Sequence, residues 1–346
     1  MVTEAFKQAA TALSPADREL ALTCWKENVC ERSSGKLTVA LADGFGENVW
    51  RQVTKMEFIL QALSYPDVKK VIYTSARMDP TKAISDVRSM IAQGVNIITI
   101  FPDAGEAMLP AVKEATEAGI LVVPYISPPG GSPGKDFLAL VAENLCELGN
   151  QFVQFVADNT KADPANVVML GGTPGNGLSA AWQKCSEEKM NAVGKMKLLG
   201  KADTNWTQEG SFKAMSGFIA QNPQIDAVLY EYADGFRGGV RAYQAANKPL
   251  DLILSLRTDE QGLFCDWEKA NNPNFKIFFS AGGTFQVRIA LTAAMAKLRG
   301  EEVPAVVDVP FKMKQVAKGM CNSALPEEMP VSTLVDADML ALMFKK

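Results

Sequence analysis

The sequence predicts an α/β protein made of two doubly wound lobes with parallel-type sheets. Residues 79–127 indicate this most directly, because a helix, a buried strand, a second helix and a second buried strand follow one another there through short loops. Residues 167–279 repeat the alternation. Helices that alternate with strands are typical of an open parallel sheet covered on both faces, so each stretch predicts one lobe.

The first helix and strand of residues 79–127 have clear patterns. Apolar residues recur at helical spacing after Asp79-Pro80, and Gly94 ends the pattern where a left-handed cap fits. Residues 95–100 are β-branched and nearly continuously apolar. Such a composition is typical of a parallel strand that is buried on both faces.

The second helix and strand are predicted over residues 107–118 and 120–123, with Gly119 as the break. Two cycles in register favour an open sheet with helices on both sides. In such sheets the loops at the carboxyl ends of the strands line the ligand crevice. Asp103 and the residues after Pro124 are therefore expected to face a ligand.

An N-terminal helical arm is predicted over residues 1–36. Ser14 suits the N-cap of a helix, Pro15 suits its first position, and acidic residues follow in the first turn. This helix is expected to end near Cys24. Ser33-Ser34-Gly35 then suggests a linker to the first lobe.

The first strand, residues 37–41, leads through a glycine-containing loop into a helix that opens near residue 50. The loop lacks both G-x-G-x-x-G and G-K-[ST], which argues against phosphate binding. We interpret it as a ligand-contacting loop, with Trp50 packing on the sheet as the alternative for that residue. A second strand is expected over residues 68–73. The candidate ligand residues of this loop and helix start are Asp43, Phe45, Asn48, Trp50 and Arg51.

The second lobe begins after a turn-rich stretch, residues 128–134, that we interpret as a hinge crossing. An amphipathic helix is expected over residues 137–158. Strands are expected over residues 167–170, 197–199, 227–230, 252–254 and 276–279. Candidate ligand residues follow the first four of these strands: Trp182, Trp206, Tyr232, Asp234 and Arg257.

Three of the five tryptophans, Trp50, Trp182 and Trp206, fall at or just after predicted strand ends. Flat apolar rings can stack on the CH faces of a sugar, while Asp, Asn and Arg bond its hydroxyls. The sequence therefore suggests a carbohydrate site. The alternative, that the indole packs beneath its loop, is expected to apply to at least one of the three.

Composition narrows the function classes. With 346 residues, 47% of them hydrophobic, the chain can bury two ordinary cores. Lys and Arg number 35 against 39 Asp and Glu, a net charge of -4 without a strong basic run, which argues against nucleic acid as a partner. No stretch reaches the about 18 apolar residues that a membrane span needs.

Histidine is absent, which excludes histidine-based triads, histidine metal ligands and the commonest general base. A phosphate fingerprint and a G-x-S-x-G elbow are also missing. We therefore expect a protein that is not an enzyme, with no catalytic residue, no metal and no cofactor.

The six cysteines include no C-x-x-C pair, which argues against thioredoxin-like and zinc-ribbon sites. An even number permits disulfides in an exported protein, and Cys24 with Cys30 is the most local pair; six unpaired thiols are the alternative. The first residues show no charged start followed by an apolar core, so a signal peptide is not visible and they do not indicate a location.

These residues resemble the periplasmic binding proteins of ribose type, the sugar-binding subunits of bacterial ABC importers. The resemblance is best over residues 37–126, through DPTKAISDVRSMIAQGVNIITIFPDAGEAMLPAVKEATEAGILVV. It continues, more weakly, through NPQIDAVLYEYADGFRGGVRAYQAA and LRGEEVPAVVDVP, and the arm before residue 36 lies outside it. The pattern is specific for the superfamily but not for the sugar.

The resemblance implies a type I periplasmic binding protein fold. The N-terminal lobe would comprise residues 37–128 plus 284–311, and the C-terminal lobe residues 129–283 plus 312–346. Three hinge crossings are expected near residues 127–134, 281–284 and 310–312. The implied function is that of a monomeric solute-binding protein, periplasmic or otherwise extracytoplasmic. It would close on a small carbohydrate or polyol between its lobes and present it to permease subunits in the membrane.

The resemblance also implies ligand contacts at particular positions. In the first lobe these are Asp43, Phe45, Asn48, the Trp50-Arg51 pair and Asp103; in the second they are Trp182, Trp206, Tyr232 and Arg257. The Trp-Arg pair is similar to members that bind furanose or larger sugars.

Three positions depart from the ribose-type pattern. Ile126-Ser127 replaces an Asp-Arg pair, Trp182 stands where an Arg is usual, and Arg257 stands where an Asp is usual. A pentose or hexose therefore does not follow from the resemblance, and a polyol, a furanose or an acidic sugar stays open.

The effector domain of a sugar-responsive transcription regulator is the main alternative, because it shares the fold. Such regulators carry a helix-turn-helix of about 60 residues with basic side chains for DNA phosphates. Here 36 residues precede the first strand, and they mix acidic and basic side chains without a second recognition helix. This favours the transport protein.

Overall fold

The computed structural model describes residues 1–344, which form two compact units. Unit 1 comprises Met1–Ala142, Thr284–Val309 and the described residues from Thr333 onward. Unit 2 comprises Glu143–Gly283 and Pro310–Ser332. The chain thus passes between the units at residues 142–143, 283–284, 309–310 and 332–333, and we call these four places crossings.

The strands, in chain order, are β1 (Val29–Glu31), β2 (Leu37–Asp43), β3 (Val68–Ser75), β4 (Ile97–Phe101), β5 (Leu121–Pro124), β6 (Leu140–Ala142), β7 (Ala165–Gly171), β8 (Met196–Asp203), β9 (Ala227–Tyr230), β10 (Ile253–Leu256), β11 (Lys276–Phe279), β12 (Val306–Asp308) and β13 (Lys314–Gln315). The α-helices are α1 (Val2–Ala9), α2 (Pro15–Glu27), α3 (Val49–Leu63), α4 (Pro80–Ala92), α5 (Leu109–Glu117), α6 (Leu145–Asn159), α7 (Gly177–Val193), α8 (Gln208–Gln221), α9 (Ala233–Ala245), α10 (Gln261–Ala270), α11 (Gln286–Leu298) and α12 (Ala337–Met343). A 3-10 turn, Gly105–Met108, precedes α5.

The sheet of unit 1 has the order β1-β3-β2-β4-β5, and every pair is parallel except β1 with β3. Ile98 and Val122 point into a core that α4 and α5 complete with Val87 and Val112. Burial on both faces explains why these strands are almost continuously apolar. The register aligns Asp43 at the end of β2 with the ends of β3 and β4.

The sheet of unit 2 has the order β13-β11-β10-β9-β7-β8, and only the edge strand β13 is antiparallel. Tyr230 at the end of β9 pairs with Leu170 and Leu256, and Leu256 pairs with Phe279. The carboxyl ends of four strands therefore lie side by side. The prediction of two parallel α/β sheets is confirmed.

The predicted helix over residues 137–158 is wrong at its start. Residues 140–142 form β6, which pairs in parallel with β12, and α6 begins only at Leu145, capped by the Asn144 side chain. In the structure Phe137, Ala139 and Val141 are buried and alternate with partly exposed leucines, but the sequence of residues 137–142 is apolar throughout and shows no such alternation.

The units also divide the chain differently from the predicted lobes. Residues 129–142 lie in unit 1, since β6 pairs with β12, and so do the described residues after 332. The first crossing is therefore at residues 142–143, beyond the predicted 127–134. The crossings at 283–284 and 309–310 lie in or beside the segments named from the sequence, and 332–333 is a fourth.

The N-terminal arm is an integral part of unit 1. Ser14 caps α2 by accepting a hydrogen bond from Asp17 N at 3.1 Å, and the helix runs on to Glu27 rather than ending near Cys24. The arm then adds β1 to the edge of the sheet beside β3. Part of the predicted arm is thus a strand of the unit 1 sheet.

The six cysteines form three disulfides, Cys24–Cys30, Cys146–Cys185 and Cys265–Cys321. The local pair suggested by the sequence is among them, and the alternative of six thiols is wrong. The bonds join α2 to β1, α6 to α7, and α10 to the segment after β13. Across residues 1–344, no helix has the length and apolar character needed to cross a membrane.

Candidate functional site

In unit 1 the candidate residues converge on Arg51. This residue lies in the first turn of α3, 3% exposed, and donates from Nη1 to Asp43 Oδ1 at 3.3 Å and from Nη2 to Asp103 Oδ1 at 2.7 Å. Asp43 ends β2 and Asp103 follows β4, so neighbouring strand ends deliver both carboxylates. Asp43 also accepts from the backbone N–H groups of Phe45 and Gly46. The sequence had named all three charged residues but not their pairing.

Aromatic rings surround the Arg51 guanidinium. Its Cζ lies 3.7 Å from the ring centre of Phe101, 5.3 Å from that of Trp50 and 5.5 Å from that of Phe45. These are cation–π distances, and burial strengthens such contacts. Trp50 meets Phe101 edge-on and is only 5% exposed, yet its Nε1 has no hydrogen-bond partner within residues 1–344. Trp50 is therefore packed, as the alternative interpretation expected, but its Nε1 is still available to donate to a ligand.

The charges of this cluster are strongly coupled. Burial raises the pKa of Asp103 to about 7, although Arg51 opposes the shift. Burial also raises the pKa of Asp43, again against the attraction of Arg51. Burial disfavours the Arg51 cation too, but Asp103 and Asp43 raise its pKa above the ordinary value. The guanidinium thus holds two buried carboxyl groups that would otherwise be costly to ionise.

Asn48 has a structural role in addition to any ligand contact. Its Oδ1 accepts from Arg51 N at 2.8 Å and so forms the N-cap of α3. A capped helix start fixes the backbone that carries Trp50 and Arg51. Asn48 is half-buried, like Phe45.

In unit 2 the centre is Glu231, directly after β9 and 1% exposed. Its carboxylate accepts from Ser179 Oγ at 2.6 Å, from Trp206 Nε1 at 2.7 Å and from Trp182 Nε1. Burial raises the pKa of Glu231, while these three donors oppose the rise. The sequence placed Glu231 at a strand end but not among the site residues. Its sequence signal was the position directly after a predicted strand; Trp182 and Trp206, whose buried indoles need acceptors, lie beside it in the fold and not in the sequence.

The two tryptophans bound to Glu231 differ in accessibility. Trp182 is 0% exposed and packs edge-on against Phe152 at 5.4 Å, so its ring has no face for a ligand. Trp206 keeps 8% exposure. The role of Trp182 that the structure supports is to hold Glu231, and the packing alternative applies to this tryptophan.

Trp206 occupies an unusual backbone conformation, with φ of 49° after Asn205 at 52°. Bulky residues seldom adopt positive φ, and when they do the cause is often functional. The turn brings the indole against Gly172, where a Cβ would lie 2.0 Å from Trp206 Cε2. Glycine is therefore required at position 172 for the indole to reach Glu231.

Arg257 follows β10 and forms a buried ion pair through Nε with the Glu143 carboxylate. The two side chains are 3% and 4% exposed. Arg257 Nη2 is buried as well and has no hydrogen-bond partner among the described residues. An unpaired buried donor is costly unless another molecule satisfies it, so this atom is a candidate ligand contact.

Tyr232, Asp234 and Glu260 surround the start of α9. Asp234 lies in the first turn of this helix, not in a loop as predicted, and accepts from Gln208 Nε2 at 2.9 Å. Tyr232 is the N-cap residue and is 5% exposed. Glu260 Oε2 accepts from Ala233 N at 3.1 Å and from Thr258 Oγ1, whereas its Oε1 is buried without a partner in the described chain.

The ionisation of Glu260 predicts a pH-dependent stability. Burial raises its pKa to about 8, so between about pH 4 and pH 8 the folded state binds a proton that the unfolded state has released. Stability should therefore fall as the pH rises through this range. Glu260→Gln keeps an acceptor for Ala233 N and should flatten the loss between pH 5 and pH 9 by about 1–3 kcal/mol, measured by urea unfolding.

The exposed Glu209 in the first turn of α8 supplies the control, since Glu209→Gln removes an equal charge from the surface. It should leave the slope of stability against pH unchanged. Identical slopes for wild type and Glu260→Gln would contradict the assignment. Asp259, whose pKa burial raises to about 7, should keep part of the slope in both proteins.

The described residues contain no cluster of three or more Asp, Glu, Cys or His side chains arranged to hold a metal ion. What the two units offer instead is hydrogen bonding from buried, fixed groups. Trp50 Nε1 and Arg257 Nη2 are donors, and Glu260 Oε1 donates when the carboxyl group is protonated and accepts when it is ionised. In each unit, such groups can hydrogen-bond hydroxyl groups.

The chain is similar to proteins of one family. The model of the periplasmic binding protein domain matches residues 41–302, well over half of the chain. The xylitol-binding protein of Mycolicibacterium smegmatis is 25% identical over 257 residues, 74% of this chain and 71% of that protein. The ribose import binding protein RbsB of Bacillus subtilis is 26% identical over 247 residues, 71% of this chain and 77% of that protein.

A solved structure supports the same fold. The periplasmic binding component of the arabinose ABC transporter from Shewanella sp. ANA-3, bound to α- and β-L-arabinofuranose, superposes with a TM-score of 0.72. It is 21% identical, and the likeness covers 80% of this chain and 91% of that chain. The type I fold implied by the sequence is confirmed.

Proposed function

Because the chain belongs to the periplasmic binding protein family, whose members bind solutes and do not transform them, we propose that it binds a small carbohydrate or polyol for an ABC importer. The observation that carries the proposal is the set of buried polar atoms left without protein partners at strand ends. Trp50 Nε1, Arg257 Nη2 and Glu260 Oε1 all belong to this set within the described residues. Hydroxyl groups can both donate and accept, so a carbohydrate or polyol is a suitable partner for such atoms.

The proposed mechanism is binding with hinge closure. Closure on the ligand excludes water, so that hydrogen bonds gain strength in a lower local dielectric. The ligand shifts the population toward the closed state because it makes more contacts there. Membrane permease subunits that recognise the closed state would then receive the ligand.

The proposed location is outside the cytoplasm. Members of the family are periplasmic binding proteins. The three disulfides agree with this, because such bonds persist in oxidising compartments and are rare in the cytosol. The regulator alternative is not favoured, since a DNA-binding protein works in the reducing cytosol.

A ligand screen tests the proposal. Purified protein is titrated with ribose, xylose, xylitol, L-arabinose and galactose, and binding is followed by calorimetry and melting temperature. At least one compound is expected to bind with a dissociation constant on the order of micromolar, or about 8 kcal/mol. If no carbohydrate or polyol changes the melting temperature or releases heat, the proposal fails.

Trp206→Ala should weaken the binding of whichever screened compound binds wild type by about 1–3 kcal/mol, because an aromatic anchor would be lost. The control is Trp267 on α10, whose Nε1 donates to Phe275 O. Trp267→Phe should bind the compound as wild type does. Calorimetry measures both variants. An unchanged affinity in Trp206→Ala would restrict Trp206 to its structural contacts with Gly172 and Glu231.

The charges of the two clusters predict a preference for ligands without negative charge. In unit 1, Asp43 and Asp103 face a single guanidinium. In unit 2, Arg257 is paired with Glu143, and Arg237 is paired with Asp234, Asp266 and Glu327. Bringing an anion beside an excess of buried carboxyl groups costs several kcal/mol.

Xylose is therefore expected to bind at least about tenfold more tightly than xylonate, and galactose more tightly than galacturonate, in competition calorimetry. The comparison uses whichever neutral member binds in the screen. This would settle the question of an acidic sugar that the sequence left open. Equal or tighter binding of the acid would show that the clusters do not set ligand charge.

A further inference from the structure

Arg257 is joined to two of the crossings by direct contacts. Its Nε donates to the carboxylate of Glu143, the first residue of unit 2 after the crossing at 142–143. Its carbonyl oxygen accepts from Gly282 N at 2.9 Å and from Ser280 Oγ at 2.8 Å, immediately before the crossing at 283–284. A residue proposed to touch ligand therefore also holds both segments.

Gly282 shows how close this packing is. A Cβ at this position would lie 2.8 Å from Arg257 Cγ, 2.8 Å from Arg257 O and 2.9 Å from Arg257 Cζ. Contacts under 3.0 Å force some group to move. The Arg257 side chain therefore packs closely on Gly282, and a side chain at position 282 would displace it.

Two residues beyond Arg257, the same loop reaches another crossing. Asp259 O accepts from Val331 N at 3.3 Å, and Asp259 Oδ1 accepts from Ser332 Oγ at 3.2 Å. Ser332 is the last residue of unit 2 before the crossing at 332–333. Residues 257–259 thus contact the chain beside three of the four crossings, all from within unit 2.

We propose that Glu143 is a positioning residue for ligand recognition, which fixes the Arg257 guanidinium so that Nη2 is presented to the ligand. Through residues 257–259 this ion pair couples ligand contact to the segments beside the crossings. The proposal rests on the proposed function for the ligand contact, whereas the link from Glu143 to Gly282 and Val331 exists without ligand.

The physical basis is the cost of an unpaired buried charge. Both side chains are at least 95% buried, so loss of the carboxylate leaves the guanidinium to seek other acceptors. Fixing Nε fixes the plane of the guanidinium and hence Nη2. Without Glu143, a ligand must first order Arg257, which lowers its affinity.

The first arm of the test is a double-mutant cycle on affinity for the tightest-binding compound of the screen. Glu143→Gln is expected to weaken binding about tenfold in the wild-type background, but no more than about twofold in the Arg257→Ala background. A merely structural role would lower affinity equally in both backgrounds. Equal losses would overturn the positioning role.

The matched control is Glu147→Gln. Glu147 is an exposed acid in the first turn of α6, four residues from Glu143, and its side chain accepts from Gln151 Nε2 at 2.9 Å. The substitution makes the same chemical change near the same chain segment without touching Arg257. Glu147→Gln should bind ligand as wild type does. A tenfold loss of affinity in this variant would show that the effect of Glu143→Gln does not depend on the contact with Arg257.

The second arm needs no ligand. Hydrogen exchange of the Gly282 and Val331 amides, whose acceptors are Arg257 O and Asp259 O, should accelerate at least about fivefold in Glu143→Gln, while Glu147→Gln leaves both unchanged. Unchanged exchange at both amides would overturn the coupling. If wild type binds none of the screened compounds, the proposed function fails. The exchange experiment alone then decides whether Glu143 is coupled to the segments at Gly282 and Val331.

Discussion

Arg51→Met should abolish binding of every screened compound and lower the free energy of unfolding by about 3–5 kcal/mol. Arg51 is 3% exposed, and it is the cation that faces both Asp43 and Asp103. Methionine keeps the unbranched apolar stem against Phe101 but removes the charge. Two buried carboxyl groups would then face one another without a cation, so that at neutral pH they must ionise at high cost or take up protons.

Stability is measured by urea unfolding followed by far-UV circular dichroism, and binding by calorimetry at a temperature where the variant is folded. Arg77→Met is the matched control. Arg77 pairs with Glu47 on the surface, with side chains 74% and 65% exposed, and exposed pairs contribute at most about 1 kcal/mol. It should therefore change neither quantity appreciably.

A second substitution separates folding from binding. In Arg51→Met with Asp103→Asn, one buried charge is removed, so part of the lost stability should return while ligand binding stays lost. Recovery of both would mean that Arg51 only balances charge. Full stability in Arg51→Met alone would contradict the coupling of the three groups.

The fold could be predicted because its signals are local and periodic. The strands β4 and β5 are short, β-branched and apolar, and α4 carries its own start signal in Asp79-Pro80. The prediction over residues 137–144 failed because the structure there depends on a distant part of the chain. The period-two burial of this segment belongs to a strand of three residues, β6, that exists because β12 pairs with it from 166 residues further along the chain.

The residues of the unit 1 cluster were predictable as a set, because the ends of predicted strands can be located without knowing which residues pair with one another. Asp43, Arg51 and Asp103 were named from position alone. Their pairing was not predictable, because Arg51 and Asp103 are 52 residues apart in sequence. Only the sheet register brings them within 2.7 Å.

In unit 2 the sequence could not distinguish buried side chains from accessible ones. The sequence treated Trp182 and Trp206 alike, because both follow strand ends. The structure separates them through Glu231, which both indoles contact while only Trp206 retains an exposed edge. Which ring lies inside depends on helix packing around Phe152, and no spacing rule encodes that contact.

The second large effect on stability is expected from a buried charge on helix α3. An ordinary surface helix buries one face, but Val53 to Leu63 are all buried here, including the charged Glu57. The Glu57 carboxylate accepts from Arg288 Nε, from Thr333 Oγ1 at 2.8 Å, from Leu334 N at 2.7 Å and from Thr284 Oγ1 at 3.3 Å. A single carboxylate thus joins α3, α11 and the C-terminal segment.

Glu57→Ala is expected to lower the free energy of unfolding by about 3–5 kcal/mol, because it strands the buried Arg288 cation and several donors at once. Glu57→Gln, which keeps one acceptor oxygen, should cost less, about 1–3 kcal/mol. The surface acid Glu114, paired with Arg88, is the control, and Glu114→Ala should cost at most about 1 kcal/mol. Urea unfolding at neutral pH measures all three.

The cause can be isolated by removing the cation as well. Glu57→Leu with Arg288→Met replaces both charges by apolar groups of similar size and should be more stable than Glu57→Ala, since no unpaired buried charge remains. Because Glu57 lies outside the strand-end clusters, ligand affinity per folded molecule should stay within about twofold of wild type in Glu57→Gln. A double variant no more stable than Glu57→Ala would mean that the hydrogen bonds to Thr333 and Leu334 dominate.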